Sequence, residues 1–414
     1  MSTDMTGEKQ VARNWFASAG ARRYLAAFGL DQAADAMVYV LLAWVAVHGA
    51  SALGAIWIVG AAAAAKLATL LLVGGALGDR FGAAPVVKST LVIRSLLLVG
   101  LIAALAADVV LGIAVVAIAY GLVDGAHEPA MQALSTEVVP SDSGQKGIQG
   151  ALDLVRRLGM LSAGPLVGAF IVWGSDEAAV ALALVGLLAA RLVVPAGTTR
   201  SRPAAERLLV LLSKLAADSR EGWSVALRTK SVRSKLLIFV VANLALTPPI
   251  VLGVPLLAKA HHWSAAAFGL IDAGYAAGAI VGGIAVARWG DALSNAEEWA
   301  VGSLVPTAAA VAVLGWLDSW GLVCALAAVA GVSTGFGPSL LVGSLKESTP
   351  DHLQSRMQAA RVAAIVAAGP AGIAVFGALI SASSISAAIT ILAALLGLAS
   401  ILFLSGRAKE LLLT

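Results

Sequence analysis

The chain has 414 residues and a formal net charge of +4 at pH 7; 59% of its residues are hydrophobic and only 13% are charged. A soluble domain carries roughly 25% charged residues, so this composition excludes a water-soluble globular protein and indicates a surface that faces lipid. The single cysteine, Cys324, excludes an intrachain disulfide and a thiolate metal site.

Apolar segments separated by turn-forming residues predict twelve membrane-spanning helices, because crossing the hydrocarbon requires about 20 residues. The predicted spans, numbered 1 to 12 in chain order, are 24–48, 53–78, 85–107, 109–134, 145–173, 177–198, 234–258, 264–289, 297–317, 320–345, 354–381 and 384–405. The predicted fold class is therefore an all-α membrane protein. The polar N-terminus lacks the apolar core of a cleavable signal peptide, so span 1 is expected to act as an uncleaved insertion signal.

Lysine and arginine are distributed unevenly between the segments that connect the spans. With both termini placed in the cytoplasm, Lys259 is the only lysine or arginine in the outer segments, whereas the inner segments hold many. Cytoplasmic loops carry such an excess of positive charge. We therefore predict a multi-pass protein of the plasma (inner) membrane with both termini cytoplasmic. The positive net charge follows from this topology and gives no reason to expect a nucleic-acid partner.

A polar stretch, residues 199–234, divides the chain near its middle, and part of it is typical of an amphipathic linker helix on the inner membrane surface. Similar residues recur in the two halves at an offset of 209, as in Pro129 and Pro338. The predicted domains are an N-terminal six-helix bundle at 1–198, a cytoplasmic linker at 199–233 and a C-terminal six-helix bundle at 234–414. Parallel repeats of this kind bind substrate between the two bundles near the bilayer midplane.

The loop between spans 2 and 3, residues 74–82, reads Gly-Gly-Ala-Leu-Gly-Asp-Arg-Phe-Gly. It resembles the loop 2–3 motif of the major facilitator superfamily, although alanines follow it where that family has two basic residues. The positions that fit are Gly75, Leu77, Asp79, Arg80 and Gly82. The resemblance implies the major facilitator fold and a conformational latch, in which the Asp79 carboxylate meets the partially positive N-terminus of span 11. A solvated loop carboxylate is the alternative.

Span 5 contains a second motif, in which Gly164 and Pro165 are followed by Gly168. It is similar to the superfamily's antiporter motif, with two departures, and the similarity implies export. Glycines one helical turn apart let two helices approach closely, and the proline can bend its helix. Ordinary packing of small residues is the alternative. Residues 121–140 resemble the branch of drug:proton antiporters that contains macrolide-efflux and enterobactin-exporter proteins.

Charged residues inside the predicted spans are costly to place in lipid and indicate functional positions. Asp35 in span 1 and Lys66 in span 2 lie at similar depths near the midplane, which allows an ion pair between them. Asp31 lies one turn from Asp35 on the same face of span 1. Asp124 and Glu128 lie in span 4.

The family resemblance implies that spans 1, 4, 7 and 10 line the substrate cavity, which places Asp31, Asp35 and Asp124 there. Carboxylates grouped in a cavity of low dielectric constant suit proton carriage. Structural roles are the alternatives: Asp124 could pair with Arg94 at a similar depth, and Glu128 could be solvated at the membrane interface.

Span 5 also carries Arg156 and Arg157 near the midplane, and span 8 carries Asp272 at a similar depth. The resemblance implies that spans 5 and 8 meet at the interface between the bundles. One of the arginines with Asp272 is therefore a candidate gate pair, and binding of an anionic substrate by one arginine is the alternative. Arg361 in span 11 is a further candidate.

These features predict a secondary active transporter that exports a small amphipathic organic compound, a drug or a metabolite, by proton antiport. A uniporter or a lipid or lysolipid transporter of the same fold is the alternative. A membrane enzyme is least favoured, since the sequence has no Gly-x-Ser-x-Gly, no metal-spaced histidines and no nucleotide loop. No catalytic residue, metal or cofactor is expected. The expected partners are protons, the substrate and the lipid bilayer, and the protein is expected to be a monomer.

Overall fold

The structure, a computed structural model, describes residues 18–70, 77–78, 81–138, 142–195, 230–347 and 354–406. Over these ranges the chain is α-helical with short loops and contains no strand, which confirms the all-α prediction.

Within the described ranges, six long helices precede residue 195 and six follow residue 229, and each overlaps the predicted span of the same number. The first six are α1 (Ala19–Gly49), α2 (Ala52–Thr69), α3 (Ala83–Ala106), α4 (Val110–Val138), α5 (Asp142–Trp173) and α6 (Asp176–Val193). Next come α7 (Lys230–Pro248, continued by Pro249–Gly253 and Val254–Ala260), α8 (Ala265–Trp289), α9 (Ala296–Gly302 and Leu304–Leu314), α10 (Trp320–Glu347), α11 (Gln354–Ala382) and α12 (Ile385–Leu404).

Eleven of the described helices are long and apolar enough to cross a membrane. The twelfth, α6, has 18 residues and carries Asp176 and Glu177 in its first turn and Arg191 in its last. Its charges therefore lie at its two ends, and the interval between them is apolar. The chain is a multi-pass membrane protein.

Helix α7 changes its winding where two prolines are adjacent. Pro248 ends the α-helical part, and Pro249 begins a π-helical turn that leads to the last helical segment. Proline has no backbone N–H and crowds the preceding turn, so an α-helical hydrogen-bond ladder cannot pass through the pair unchanged.

The described chain divides into two compact units. The first comprises residues within Met1–Leu42 and Ala62–Leu208, and the second comprises residues within Ala43–Ala61 and Leu209–Thr414. Residues 199–229, where the linker helix is predicted, lie outside the described ranges. The predicted domain boundaries stay predictions.

The end of α1 packs within the second unit. The Trp44 ring stacks on Phe268 of α8 at 5.4 Å between centroids. Lys259 Nζ donates hydrogen bonds to the carbonyl oxygens of Val47, at 2.6 Å, and Ala50, at 3.2 Å. Carbonyls at a helix C-terminus lack intrahelical donors and carry partial negative charge. The lysine that stands apart in the charge distribution of the sequence thus caps a helix end.

In the first unit, α2 and α4 approach each other closely at two glycines of α4. A side-chain carbon on Gly121 would overlap the carbonyl oxygen of Ala62, and one on Gly125 would overlap that of Lys66. Only glycine permits this separation of the two backbones.

The second unit contains the same arrangement between α8 and α10. A side-chain carbon on Gly331 would overlap the carbonyl oxygen of Tyr275, and one on Gly335 would overlap that of Ala279. In each unit, therefore, two glycines four residues apart on the fourth helix lie on two carbonyls four residues apart on the second. This recurrence supports the internal repeat inferred from the sequence.

Candidate functional site: a buried charge network

A set of hydrogen-bonded and ion-paired side chains, hereafter the charge network, connects α1, α2, α3 and α4 of the first unit. Its members are Asp31, Asp35, Tyr39, Lys66, Thr90, Arg94, Tyr120, Asp124, His127 and Glu128.

Arg94 of α3 lies at its centre and is fully buried. Its Nη1 donates to Asp31 Oδ1 at 2.7 Å, and its Nη2 donates to Asp35 Oδ1 at 2.5 Å. The two aspartates are four residues apart on α1 and therefore lie on one face of that helix. One guanidinium thus holds both carboxylates through its two Nη atoms, which its planar donor geometry allows.

Two side chains of α4 also lie next to the Arg94 guanidinium. Arg94 Nη2 also donates to the Tyr120 hydroxyl at 2.6 Å, and that hydroxyl donates to Asp35 Oδ1 at 3.0 Å. Asp124 Oδ1 lies 3.7 Å from Arg94 Nη2. The sequence left two roles open for Asp124, a place in the substrate cavity or a pair with Arg94. In the structure Asp124 lies beside Arg94.

Lys66 of α2 pairs with two carboxylates of α4. Its Nζ lies 2.7 Å from Asp124 Oδ2 and 3.2 Å from Glu128 Oε2. The Tyr39 hydroxyl donates to the same Asp124 oxygen at 2.8 Å. The sequence allowed a pair between Lys66 and Asp35, and this expectation was wrong: similar depth on consecutive helices leaves the direction of a side chain open. Gly125 of α4 lies against the Lys66 carbonyl, so the lysine is next to α4 at this point.

His127 of α4 joins the network through Asp31 and Thr90. Its Nε2 lies 3.1 Å from Asp31 Oδ2, and its Nδ1 lies 2.8 Å from Thr90 Oγ1. The imidazole is buried, and so is the threonine hydroxyl.

The carboxylates of the network outnumber its permanent cations. Asp31, Asp35, Asp124 and Glu128 face Arg94 and Lys66, so the formal charge is −2 while His127 is neutral. Uncompensated charge away from water costs several kcal/mol per ion, about the scale of a marginal fold's stability. Proton binding is the chemistry that lowers this charge.

Exposure differs across the network and defines an accessible edge. The side chains of Asp31 and Arg94 are 0% exposed, whereas Asp35 is 16%, Lys66 24% and Glu128 37% exposed. Asp35 uses Oδ1 for both of its hydrogen bonds, and its Oδ2 accepts none from the part of the chain that the structure describes. This carboxyl oxygen can take a proton without breaking a hydrogen bond.

Sequence reasoning identified the network's carboxylates and its lysine but gave Arg94 only a minor place and omitted Tyr39 and Tyr120. A signal for them exists in the spacing. Two sets of polar residues recur every four positions, Asp31, Asp35 and Tyr39 on α1 and Tyr120, Asp124 and Glu128 on α4. Such spacing marks one face of each helix and predicts two polar stripes that must find each other inside an apolar bundle.

The other residues singled out in the sequence lie elsewhere. Gly164 and Gly168 are buried in α5, which continues as a helix through Pro165. Of the loop motif, Gly75, Asp79 and Arg80 lie outside the described residues. Gly82 is described, and it precedes α3 with φ of 85°, a conformation that favours glycine. The latch and the antiporter motif stay predictions.

The candidate interface charges fall in both units. In the first, Arg156 Nε donates to Gln32 Oε1 at 3.2 Å. In the second, Asp272 lies on α8, and the guanidinium of Arg361 lies over the Phe239 ring at 5.4 Å. Arg157 also has an interaction partner. Whether Asp272 pairs with an arginine of α5 stays a prediction.

Metal ligands are not grouped in the described ranges, where no three His, Cys, Asp or Glu side chains could hold one ion.

Comparison with known proteins gives one family and several structures of one fold. A family model described as Major Facilitator Superfamily matches residues 24–250 and 236–411. The fold is similar to that of a POT family transporter in complex with 5-aminolevulinic acid, with a TM-score of 0.73, 12% identity and coverage of 94% of this chain and 96% of that one.

Two further structures show the same likeness. The nucleoside transporter NupG has a TM-score of 0.69 and 11% identity, with coverage of 94% of this chain and 99% of that one. A D-xylose-proton symporter has a TM-score of 0.66 and 15% identity, with coverage of 92% and 95%. At these identities the structures establish the fold alone. No curated protein sequence matches the chain.

Proposed function

The chain belongs to the major facilitator superfamily, and from that premise we propose that it exports a small amphipathic organic compound by proton antiport with alternating access. The observation that carries the proposal is the charge network, in which four carboxylates surround two cations inside apolar helices. Intramembrane charges of this kind mark ion and substrate pathways in transporters.

Asp35 is the proton carrier in this proposal. It is partly exposed, its Oδ2 is free of hydrogen bonds from the described residues, and Arg94 and Tyr120 hold its other oxygen. A proton on Oδ2 lowers the negative charge of the network by one without disturbing the ion pair of Asp31 with Arg94. A carrier must release its proton as readily as it accepts it, and the accessible edge offers that exchange.

Export is supported by the resemblance of residues 160–169 to an antiporter motif and by the orientation inferred from lysine and arginine, which puts both termini in the cytoplasm of a plasma membrane protein. The similar D-xylose-proton symporter couples to protons, so the fold accommodates such coupling. The resemblance of residues 121–140 to macrolide-efflux proteins makes a macrolide the first substrate to test and connects the chain with multidrug resistance.

The test uses the purified protein in proteoliposomes with an imposed pH gradient and a labelled macrolide. Asp35→Asn should fold and bind but lose gradient-driven flux, while exchange across liposomes without a gradient persists. Asp108→Asn is the matched control: Asp108 is exposed between α3 and α4 with φ of 51°, a conformation that asparagine tolerates. Gradient-driven flux of the wild-type size in Asp35→Asn would overturn the role of this residue.

The same assay addresses the second candidate. If wild-type protein exchanges substrate equally with and without a gradient, the protein is a uniporter. Should labelled lysolipid move in place of the macrolide, the substrate class is lipid. Before the flux assay, a thermal-shift panel of diverse compounds selects the ligand, because any binder of the native state raises the unfolding temperature.

A further inference from the structure

We propose that the buried pair of His127 and Asp31 is a second proton-binding site of the charge network, and that it holds its proton in the arrangement seen here as an imidazolium on His127. Asp35 is the first site. The part that this second proton plays in transport rests on the proposed function, whereas its presence on the pair does not.

The two ring nitrogens of His127 both have close polar partners. Nε2 faces Asp31 Oδ2 at 3.1 Å, and Nδ1 faces Thr90 Oγ1 at 2.8 Å. A neutral imidazole has one N–H and one lone pair, whereas an imidazolium has two N–H groups. The question is which form satisfies both contacts.

Thr90 decides between them, because its hydroxyl has a single hydrogen. Oγ1 lies 2.8 Å from the Val86 carbonyl oxygen, 3.0 Å from that of Val87 and 2.8 Å from His127 Nδ1. If the hydroxyl donates to either carbonyl, it presents only lone pairs to Nδ1, and Nδ1 must then carry a hydrogen.

A hydrogen on Nδ1 leaves two states for Nε2. In one, Nε2 also carries a hydrogen and donates it to the Asp31 carboxylate. In the other, Asp31 is protonated and donates to a neutral Nε2. Either state holds one more proton than an ionised aspartate with a neutral histidine. Arg94 Nη1, 2.7 Å from Asp31 Oδ1, favours the ionised carboxylate and therefore the imidazolium.

The neutral alternative has a specific cost. With the hydrogen on Nε2 alone, Nδ1 would accept the Thr90 hydrogen, and Oγ1 would face two carbonyl oxygens at 2.8 and 3.0 Å without a hydrogen between them. Oxygen lone pairs at that separation repel each other. Both ring contacts of His127 and a hydrogen bond from Thr90 to a carbonyl oxygen are satisfied together only when the histidine–aspartate pair holds the extra proton.

The surrounding charges favour this proton on balance. The charged or titratable groups on the helices around the pair are Tyr24, Asp35 and Tyr39 of α1, Lys66 of α2, Arg94 of α3, Tyr120, Asp124 and Glu128 of α4, and Arg156 of α5 through Gln32. The proton on the pair reduces the formal charge of the network from −2 to −1, and a proton on Asp35 reduces it to zero. The network therefore holds two protons when its formal charge is zero. It releases two protons when both sites are deprotonated.

The proposal is tested by nuclear magnetic resonance of the full-length protein in detergent or nanodiscs, with the imidazole nitrogens of its five histidines labelled. The signal missing from His127→Asn belongs to His127. At a pH where free imidazole is neutral, we expect both of its nitrogens to carry hydrogen. A neutral ring with a bare Nδ1 at that pH overturns the inference.

Two threonine variants separate the proposed role from a structural one. Thr90→Val removes the oxygen that accepts the Nδ1 hydrogen, and we expect the His127 ring of this variant to carry hydrogen on one nitrogen only under the conditions of the wild-type measurement. Thr90→Ser keeps the hydroxyl and should keep hydrogen on both nitrogens. The same number of nitrogen-bound hydrogens in the two variants would contradict the proposal. If Thr90→Val does not fold, the wild-type spectrum alone decides.

These measurements require neither substrate nor gradient. If the spectrum shows a neutral His127, the second proton site is wrong, and the exporter proposal is still decided by the flux of Asp35→Asn. If the flux test fails, the spectrum still decides whether His127 is charged.

Discussion

At the scale of single residues, Arg94 is the position on which the charge network depends. Its guanidinium is fully buried and holds Asp31 and Asp35 at once. Lysine cannot replace it, because an ammonium has no planar fork to reach two carboxylates on one helix. The contribution of the arginine is therefore geometric as well as electrostatic.

Replacing Arg94 by glutamine should destabilise the protein by about 3–5 kcal/mol, because Asp31 is left buried without its main cation. Asp31→Asn should also destabilise. The double variant should lose less than the sum of the two, since residue 31 then carries no charge that needs the arginine. Thermal and denaturant unfolding in detergent measure this coupling. Arg288→Gln, at an exposed position near the end of α8, is the control and should be neutral.

Gly82 is required by its backbone conformation. Its φ is 85°, and a side-chain carbon there would meet Pro85 Cδ only at an ordinary 3.5 Å. Gly82→Ala should therefore destabilise through backbone strain alone, by about 1–2 kcal/mol. Gly78→Ala, at a helical position with open space around it, should not destabilise. Equal unfolding midpoints for the two variants would show that the turn before α3 adjusts freely.

At the scale of helices, close packing at glycine determines which side chains can meet. Gly125 brings the α4 backbone onto the Lys66 carbonyl of α2, and the Lys66 ammonium then lies between Asp124 and Glu128. The corresponding contact of α8 and α10 in the second unit has Ala279 at the position of Lys66, so this contact brings no lysine to the carbonyl.

Gly125→Ala should force α2 and α4 apart, because the added methyl group overlaps a backbone oxygen that cannot rotate away. We expect a loss of about 1–3 kcal/mol in stability and longer contacts from Lys66 to α4. The unfolding midpoint measures the first effect. Gly343→Ala in α10, with open space around the glycine, is the matched control. If Gly125→Ala unfolds at the same midpoint as the wild type, α2 and α4 can move apart without a loss of stability, which contradicts the prediction.

At the scale of the whole molecule, the distribution of lysine and arginine predicts how the chain crosses the membrane. Loops with excess positive charge stay in the cytoplasm. This assigns the loop between α8 and α9 to the inner side and the loop between α9 and α10 to the outer side.

Two conservative cysteine substitutions test this orientation. In a Cys324→Ala background, which has no other cysteine, Ser319→Cys should react with a membrane-impermeant maleimide on intact cells. Ser294→Cys should react only after the membrane is permeabilised. Both serines are exposed, so accessibility of the loop itself does not limit labelling. The reverse pattern would invert the topology.

The sequence by itself determined the fold class, the twelve helices and most of their ends. These follow from local physics: a chain in lipid must satisfy its backbone within each segment, so hydrophobic length and turn residues mark the helices. The sequence also identified Asp31, Asp35, Lys66, Asp124 and Glu128, because charges within such segments stand out.

Only the tertiary structure decided which of these charges meet. Depth along a helix can be counted from the sequence, but rotation about the helix axis and the distance between helices are set by packing, here by Gly121 and Gly125 against α2. Those two quantities paired Lys66 with α4 rather than with Asp35, placed Arg94 between both aspartates of α1, and brought His127 between Asp31 and Thr90. Contacts between residues far apart in the chain depend on the packing of all four helices together, which no single helix encodes.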